Sequence, residues 1–209
     1  MNIMKDSLVL SALYLPPISY FKVVASNAGA ILIDKHENYV KQSYRTRAVI
    51  GTASGTLKLI IPIRHIGNQR RVMKDVQIEN DFQWQRLHWL SLQTAYRSSP
   101  YFEFYEDEFY HLFHGEEKFL VDFHLKQMEL IMKCLKLPNT ITLSSSYVEL
   151  EAGETDYRRL IHPKQKLDPS DYPPYYQTFE DRNGFVPNLS VLDLLFHLGP
   201  ESVSYLKGV

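Results

Sequence analysis

Leu8-Val9-Leu10-Ser11-Ala12-Leu13-Tyr14-Leu15-Pro16-Pro17 is a short apolar run stopped by two prolines, the pattern of a buried strand that runs into a stiff loop. The next stretch, Ile18 to Ala28, sets Phe21, Val24, Ala25 and Ala28 at the spacing of one helix face, with Gly29 closing it. Ala30-Ile31-Leu32-Ile33 then reads as a second buried strand. Strand, crossover helix and strand form the elementary parallel unit, so the sequence predicts an α/β protein.

Val49-Ile50 and Leu57 to Ile63 predict two further strands joined across the small residues Gly51 to Gly55, a hairpin that would make a mainly parallel sheet mixed. Trp84 to Ser99 carries Trp84, Leu87, Leu90, Ala95 and Tyr96 at helical spacing and ends at Ser98-Ser99-Pro100. Glu116 to Leu137 predicts the longest helix, stopped by Pro138, and Thr140 to Leu143 predicts another strand. Glu151 to Pro187 is polar and rich in Pro and Tyr, the composition of an arm, a lid or a binding loop. Order resumes at Ser190, whose hydroxyl can accept from the N3 amide of a helix that buries Leu192, Leu195 and Phe196 and ends at Gly199-Pro200. The expected architecture is one domain over residues 1–209: a mixed, mainly parallel sheet with flanking helices, a helical second half and an aromatic arm at 168–185.

A chain of 209 residues with 44% hydrophobic side chains can bury one sizeable core. No apolar stretch approaches the ~20 residues of a membrane span. The opening Met1 to Asp6 does not read as a secretory signal, and the single Cys134 fits a reducing compartment, so the expected location is the cytoplasm. Basic and acidic residues balance at 23 and 24, which argues against a dedicated nucleic-acid binder. Their distribution is uneven: Lys35 to Lys74 holds nine basic residues against Glu37, and Glu103 to Asp122 holds seven acids against Lys118. Such polarity either focuses an anionic ligand or marks solvated faces.

The densest polar cluster, His36 to Arg47, directly follows the second strand, and ligands of open α/β sheets bind outside the carboxyl ends of strands. If the segment is extended, Lys41, Arg45 and Arg47 share a face with Tyr39 and suit phosphate or carboxylate; the alternative is an exposed strand kept soluble by its charges. A second cluster joins His88 to Tyr96, a little over two helical turns on, so both could line one groove. With no partner visible, the ordinary reading of His88 is a buried histidine satisfied by hydrogen bonds. His111, His114 and His124 complete no ligand pattern, so no metal site is expected, and Cys134 reads as core packing. No G-x-G-x-x-G, Walker loop or kinase signature occurs, which leaves any cofactor unassigned.

Tyr14 to Phe21, Ile33-Asp34, Asn38 to Ile50, Leu59 to Ile63, Trp84, His88-Trp89, Ala95-Tyr96, Ser98 to Phe102, Tyr105 and Pro187 to Phe196 together resemble the WbqC-like family. The resemblance implies a bacterial protein of O-antigen or other surface-polysaccharide gene clusters with a transferase role, transfer of glycine included. Two positions depart from that family's pattern. Its first strand usually ends in Gln or His before a Pro-rich loop bearing Trp, absent from Ser11 to Pro17, and its usual Asn between the two arginines is Thr46 here.

The leading expectation is therefore a transferase that modifies a nucleotide-activated sugar or a related phosphorylated intermediate. Lys41, Arg45 and Arg47 would hold the anion, Tyr44 would hydrogen-bond the sugar, His88 would be the general base, and His36, Tyr14 and Tyr96 would complete the binding set. The competing expectation is a non-catalytic anion- or sugar-binding or assembly protein that uses the same basic site. Tyr172, Tyr175, Tyr176 and Phe179 on the arm are expected to pack near the basic cluster or across a homodimer interface.

Overall fold

The computed structural model describes residues 8–65, 67 and 70–208; the reading of Met1 to Asp6 lies outside them. In chain order the elements are β1 (Leu8–Leu10), α1 (Ile18–Ala25), β2 (Ile31–Ile33), β3 (Arg47–Thr52), β4 (Gly55–Ile60), α2 (Trp84–Tyr96), α3 (Phe102–Phe113), α4 (Leu120–Cys134) and β5 (Ile141–Leu143). Two single-turn helices follow, α5 (Tyr157–Leu160) and α6 (Glu180–Asn183), then α7 (Val191–Leu198) and α8 (Ser202–Lys207).

β1, β2 and β5 form a parallel sheet in the order β1-β2-β5. Leu8, Val9 and Leu10 pair with Ile31, Leu32 and Ile33, which pair in turn with Ile141, Thr142 and Leu143. The α/β class, the parallel unit and the helical second half are as the sequence predicts. The antiparallel hairpin is present too, with a two-residue turn at Ala53-Ser54 and Gly55 at φ 105°, but β3 and β4 pair with each other and form a separate two-stranded sheet.

Boundaries shift where tertiary contacts override local pattern. The first strand covers three residues instead of eight, because the backbone from Ser11 leaves the sheet: Tyr14 N–H donates to Tyr44 and Leu15 N–H to the Gln127 side chain, with Leu15 held at φ 35°. α1 ends at Ala25 with Ser26 as its cap, three residues before Gly29, and the Ser26 hydroxyl donates to the Lys22 carbonyl. Ser190 caps α7 as expected, although its hydroxyl accepts from Leu192 at N2 (3.3 Å) instead of N3.

α3 has no counterpart in the sequence reading. Its acids hide an apolar face of Phe102, Phe109 and Phe113, all buried, while Glu103, Asp107 and Glu108 are exposed. The acidic run is thus a solvated helix face with local cations: Arg97 reaches Glu106, Lys133 reaches Glu108 and Lys126 reaches Glu117. Around it, Trp89, Phe102, Phe109, Phe113 and Phe196 build an aromatic core between α2, α3 and α7. Among the described residues no helix is long and apolar enough to cross a membrane.

Candidate functional site

The residue that follows each parallel strand is polar and buried: Ser11 after β1, Asp34 after β2 and Ser144 after β5. Burying three polar side chains in a row is unfavourable unless each is hydrogen-bonded, and here each is. The Asp34 carboxylate accepts from the Ser144 hydroxyl (3.0 Å), the His36 amide (3.0 Å), the Val148 amide (3.3 Å) and the Arg158 guanidinium (2.5 Å). Arg158 also donates to Asp156 through Nε (2.8 Å) and Nη2 (3.2 Å), so two carboxylates hold one guanidinium.

Beside this group sits a second buried pair. Arg45 grips Glu37 bidentately, Nε to Oε1 at 3.0 Å and Nη2 to Oε2 at 2.5 Å, and Ser11 bridges them by donating to Glu37 (3.0 Å) and accepting from Arg45 (2.8 Å). Burial pushes the Glu37 carboxyl above the usual carboxylate range, with the charge and hydrogen bonds of Arg45 and Ser11 pulling the other way. Burial also acts to raise Asp156, but the hydrogen bonds and charge of Arg158, with Arg159, hold it below that range.

Arg45 with Glu37 and Arg158 with Asp156 line one cleft of about 320 Å³, together with Asn38, Val40, Tyr147, Arg159 and His162, while Asp34 lies buried behind Arg158. That volume lies at the lower end of the ~300–1,000 Å³ of small-molecule sites, and its place at the carboxyl ends of the strands is where open α/β sheets hold ligands. The cleft can offer carboxylate oxygens to hydroxyl groups, and at its rim the exposed guanidinium of Arg159 can meet an anion. Among the described residues no three His, Cys, Asp or Glu side chains gather as a metal site.

The eight residues singled out in the sequence do not converge on one place. Arg45 lines the cleft, but buried against Glu37, and His36 stands two residues after Asp34, to which its amide donates. Residues 41–46 form turns instead of an extended strand, so Lys41, Arg45 and Arg47 share no face; Lys41 is exposed and Arg47 begins β3. Tyr14, Tyr44 and His88 form a connected set: Tyr14 N–H donates to the Tyr44 carbonyl, and the Tyr14 hydroxyl meets His88 Nδ1 at 2.7 Å. His88 is packed against Tyr14 and Trp84, and burial lowers its imidazole to about 4. Burial also pushes the Tyr44 phenol up to about 12, with nearby Tyr172 adding to the effect.

Tyr96 belongs to a different polar centre. Its hydroxyl donates to Asp193 (3.0 Å), which also accepts from Tyr175 (2.5 Å) and Gln177 (3.0 Å). The adjoining cavity holds only about 20 Å³, room for about one water. This centre ties the aromatic arm down: Tyr172 and Tyr175 are buried, and the Thr178 amide donates to His197 (3.0 Å), while Tyr176 stays exposed.

Asp34, Tyr147, Asp156, Arg158, Arg159 and His162 were not singled out by the sequence reading. A signal existed for Asp34, an acid placed directly after a buried strand. The other five lie in a loop-rich segment with no periodicity that could show where it folds back.

Set beside known proteins, the chain matches the WbqC-like protein family over residues 12–173 and again over 165–205. It is 24% identical to the uncharacterized protein Rv1507c of Mycobacterium tuberculosis, an alignment that spans 98% of each chain. No solved structure matches. With nearly its whole length matched, including every strand of the parallel sheet but β1, the chain belongs to the WbqC-like protein family.

Proposed function

We propose that the chain is a transferase that moves a glycyl or other acyl group onto a nucleotide-activated sugar, or a related phosphorylated intermediate of surface-polysaccharide synthesis, and that the cleft above β1, β2 and β5 is its substrate site. The observation that carries this reading is the pair of arginine–carboxylate arrays, Arg45–Glu37 and Arg158–Asp156, side by side in one cleft, with Arg158 fixed from behind by the buried Asp34. Such arrays are costly to bury unless each charge is paired and hydrogen-bonded, as these are. An activated acyl donor, a thioester or aminoacyl ester, would lose its leaving group to a sugar hydroxyl or amine. The new ester or amide bond forms as the nucleophile's proton passes to Glu37, the carboxylate with a raised pKa that lines the cleft. His88 then has a positioning part, because it holds Tyr14 and, through it, the loop that carries Ser11.

One observation favours a second reading, a non-catalytic binder of the same ligands. The two buried guanidiniums of the cleft, Arg45 and Arg158, are already neutralised by carboxylates, and His88, the base the sequence offered, is hydrogen-bonded inside an aromatic cluster. A thermal-shift screen against nucleotide sugars, sugar phosphates, aminoacyl and acyl donors and simple anions, followed by mass spectrometry of any stabilising pair, tests both. A stabilising sugar phosphate together with an acylated product is expected. Binding without product leaves the second reading, and no stabilisation by any sugar-bearing anion overturns the site assignment.

A further inference from the structure

Tyr147 stands out in the loop after β5. It is a large aromatic side chain left 45% exposed, yet it lines the cleft and its ring lies over the Arg158 guanidinium, 5.0 Å from ring centroid to Cζ. The guanidinium beneath it is immobilised: Asp34, Asp156 and the Val148 carbonyl take its donors, and its side chain is only 4% exposed. One face of the ring is therefore backed by a fixed cation, and the ring borders the space shared with Glu37 and Asp156.

Building on the proposed function, we infer that Tyr147 is the platform on which the sugar ring of the ligand lies, with the Glu37 and Asp156 carboxylates taking its hydroxyl groups and Arg159 and His162 taking its phosphate. A pyranose presents axial C–H groups on one face and hydroxyls around its edge. An aromatic face bordered by acceptor carboxylates complements that pattern: the ring covers the apolar face while ionised oxygens accept from the rim. Asp156 keeps its charge for this, and its side chain is 24% exposed, so its lone pairs are reachable from the cleft. The volume of about 320 Å³ suits a monosaccharide and one phosphate better than a whole nucleotide sugar. The nucleotide then extends past Arg159, whose side chain is 82% exposed.

Calorimetric titration of the full chain with UDP-glucose, UDP-N-acetylglucosamine, the 1-phosphates of glucose, galactose, mannose and N-acetylglucosamine, and UMP decides the matter. At least one sugar 1-phosphate is expected to keep most of the affinity of its nucleotide form, with UMP far weaker. Tyr147→Ala and Tyr147→Leu should each weaken sugar-phosphate binding tenfold or more, and Tyr147→Trp should restore it; Leu keeps apolar bulk over Arg158, which separates loss of the aromatic face from local collapse. If a sugar nucleotide binds and loses affinity in Arg159→Ala but not in either aliphatic Tyr147 variant, the platform is overturned and the substrate site stands. Tyr147-dependent binding of UMP with none of the sugar phosphates would place the base on the ring and overturn the sugar assignment. Should no compound bind, the platform and the site fall together.

Discussion

Arg158, on the four-residue α5, donates to Asp34 at the carboxyl end of β2 from 124 positions away in the sequence, at 2.5 Å and with both side chains almost wholly buried. This ion pair ties the segment that carries α5 to the end of β2, and Arg158 lines the cleft. Its energetics follow from burial. Removing one partner leaves an uncompensated charge in a low dielectric, whereas removing both does not.

Arg158→Met is therefore expected to cost about 3–5 kcal/mol of unfolding free energy. Adding Asp34→Asn to it should recover a good part of that loss. Urea denaturation of the two single variants and the double variant gives the coupling energy directly; additive losses would show that Arg158 and Asp34 do not depend on each other.

The same logic separates the basic residues of the first half. Arg45→Ala exposes the buried Glu37 carboxylate to the full desolvation penalty and should destabilise by about 3–5 kcal/mol. Lys41→Ala, at an exposed turn, should stay within ~0.5 kcal/mol of the parent. Thermal melts of both variants at one pH make the comparison, and equal effects would remove Arg45 from its place as a structural anchor.

Acid should weaken the fold through two histidines. Burial lowers His88 to about 4 and His124 to about 3, against ~6.5 for an exposed imidazole, and the Arg45 charge adds to the effect on His124. The unfolded chain thus binds more protons than the folded one below pH ~6.5, so stability is complete above that value and falls as the pH drops toward 4, by up to roughly 3 kcal/mol from His88. Glu37, raised by burial, acts in the opposite sense. Neither ring nitrogen of His124 has a partner among the described residues, so His124→Leu should match or exceed parental stability at pH 7 and flatten the acid limb. Urea midpoints between pH 4.5 and 7.5 measure it; an unchanged slope in the variant would contradict the assignment.

Among the contacts that anchor the arm is the Tyr175–Asp193 hydrogen bond. Tyr175→Phe removes the hydroxyl that donates to Asp193, a hydrogen bond to a buried carboxylate worth about 1.5–3 kcal/mol. Limited proteolysis should then cut between Tyr172 and Phe185 faster than in the parent. If cleavage is unaltered, other contacts hold the arm.

Gly199 ends α7 at φ 52°, and a Cβ there would lie 2.5 Å from the Tyr101 ring. Gly199→Ala meets both a left-handed backbone penalty and a steric clash, so a loss of more than ~1–3 kcal/mol is expected by differential scanning calorimetry. Gly55→Ala, with open space around its Cβ, should lose only the backbone component.

By itself the sequence determined the elements whose periodicity is undiluted: the β1-α1-β2 unit, the hairpin, α2, α4, β5 and the Ser190 cap of α7. In each, apolar spacing and a local stop signal point the same way. It also marked the segment after β2 as polar and well placed for a ligand. Tertiary structure alone decided the rest. α3 escaped because four acids, Glu103, Glu106, Asp107 and Glu108, masked the Phe102, Phe109 and Phe113 stripe, and the length of β1 because Gln127 and Tyr44 draw residues 13–15 out of the sheet. Most of all, it decided the cleft: whether Arg45 is a free cation or half of a buried pair, and that Arg158 rather than Arg47 stands near it, depends on contacts between segments up to 124 residues apart. Local pattern records the preferences of neighbouring residues, whereas a buried charge is stabilised only by the partner that the fold brings to it.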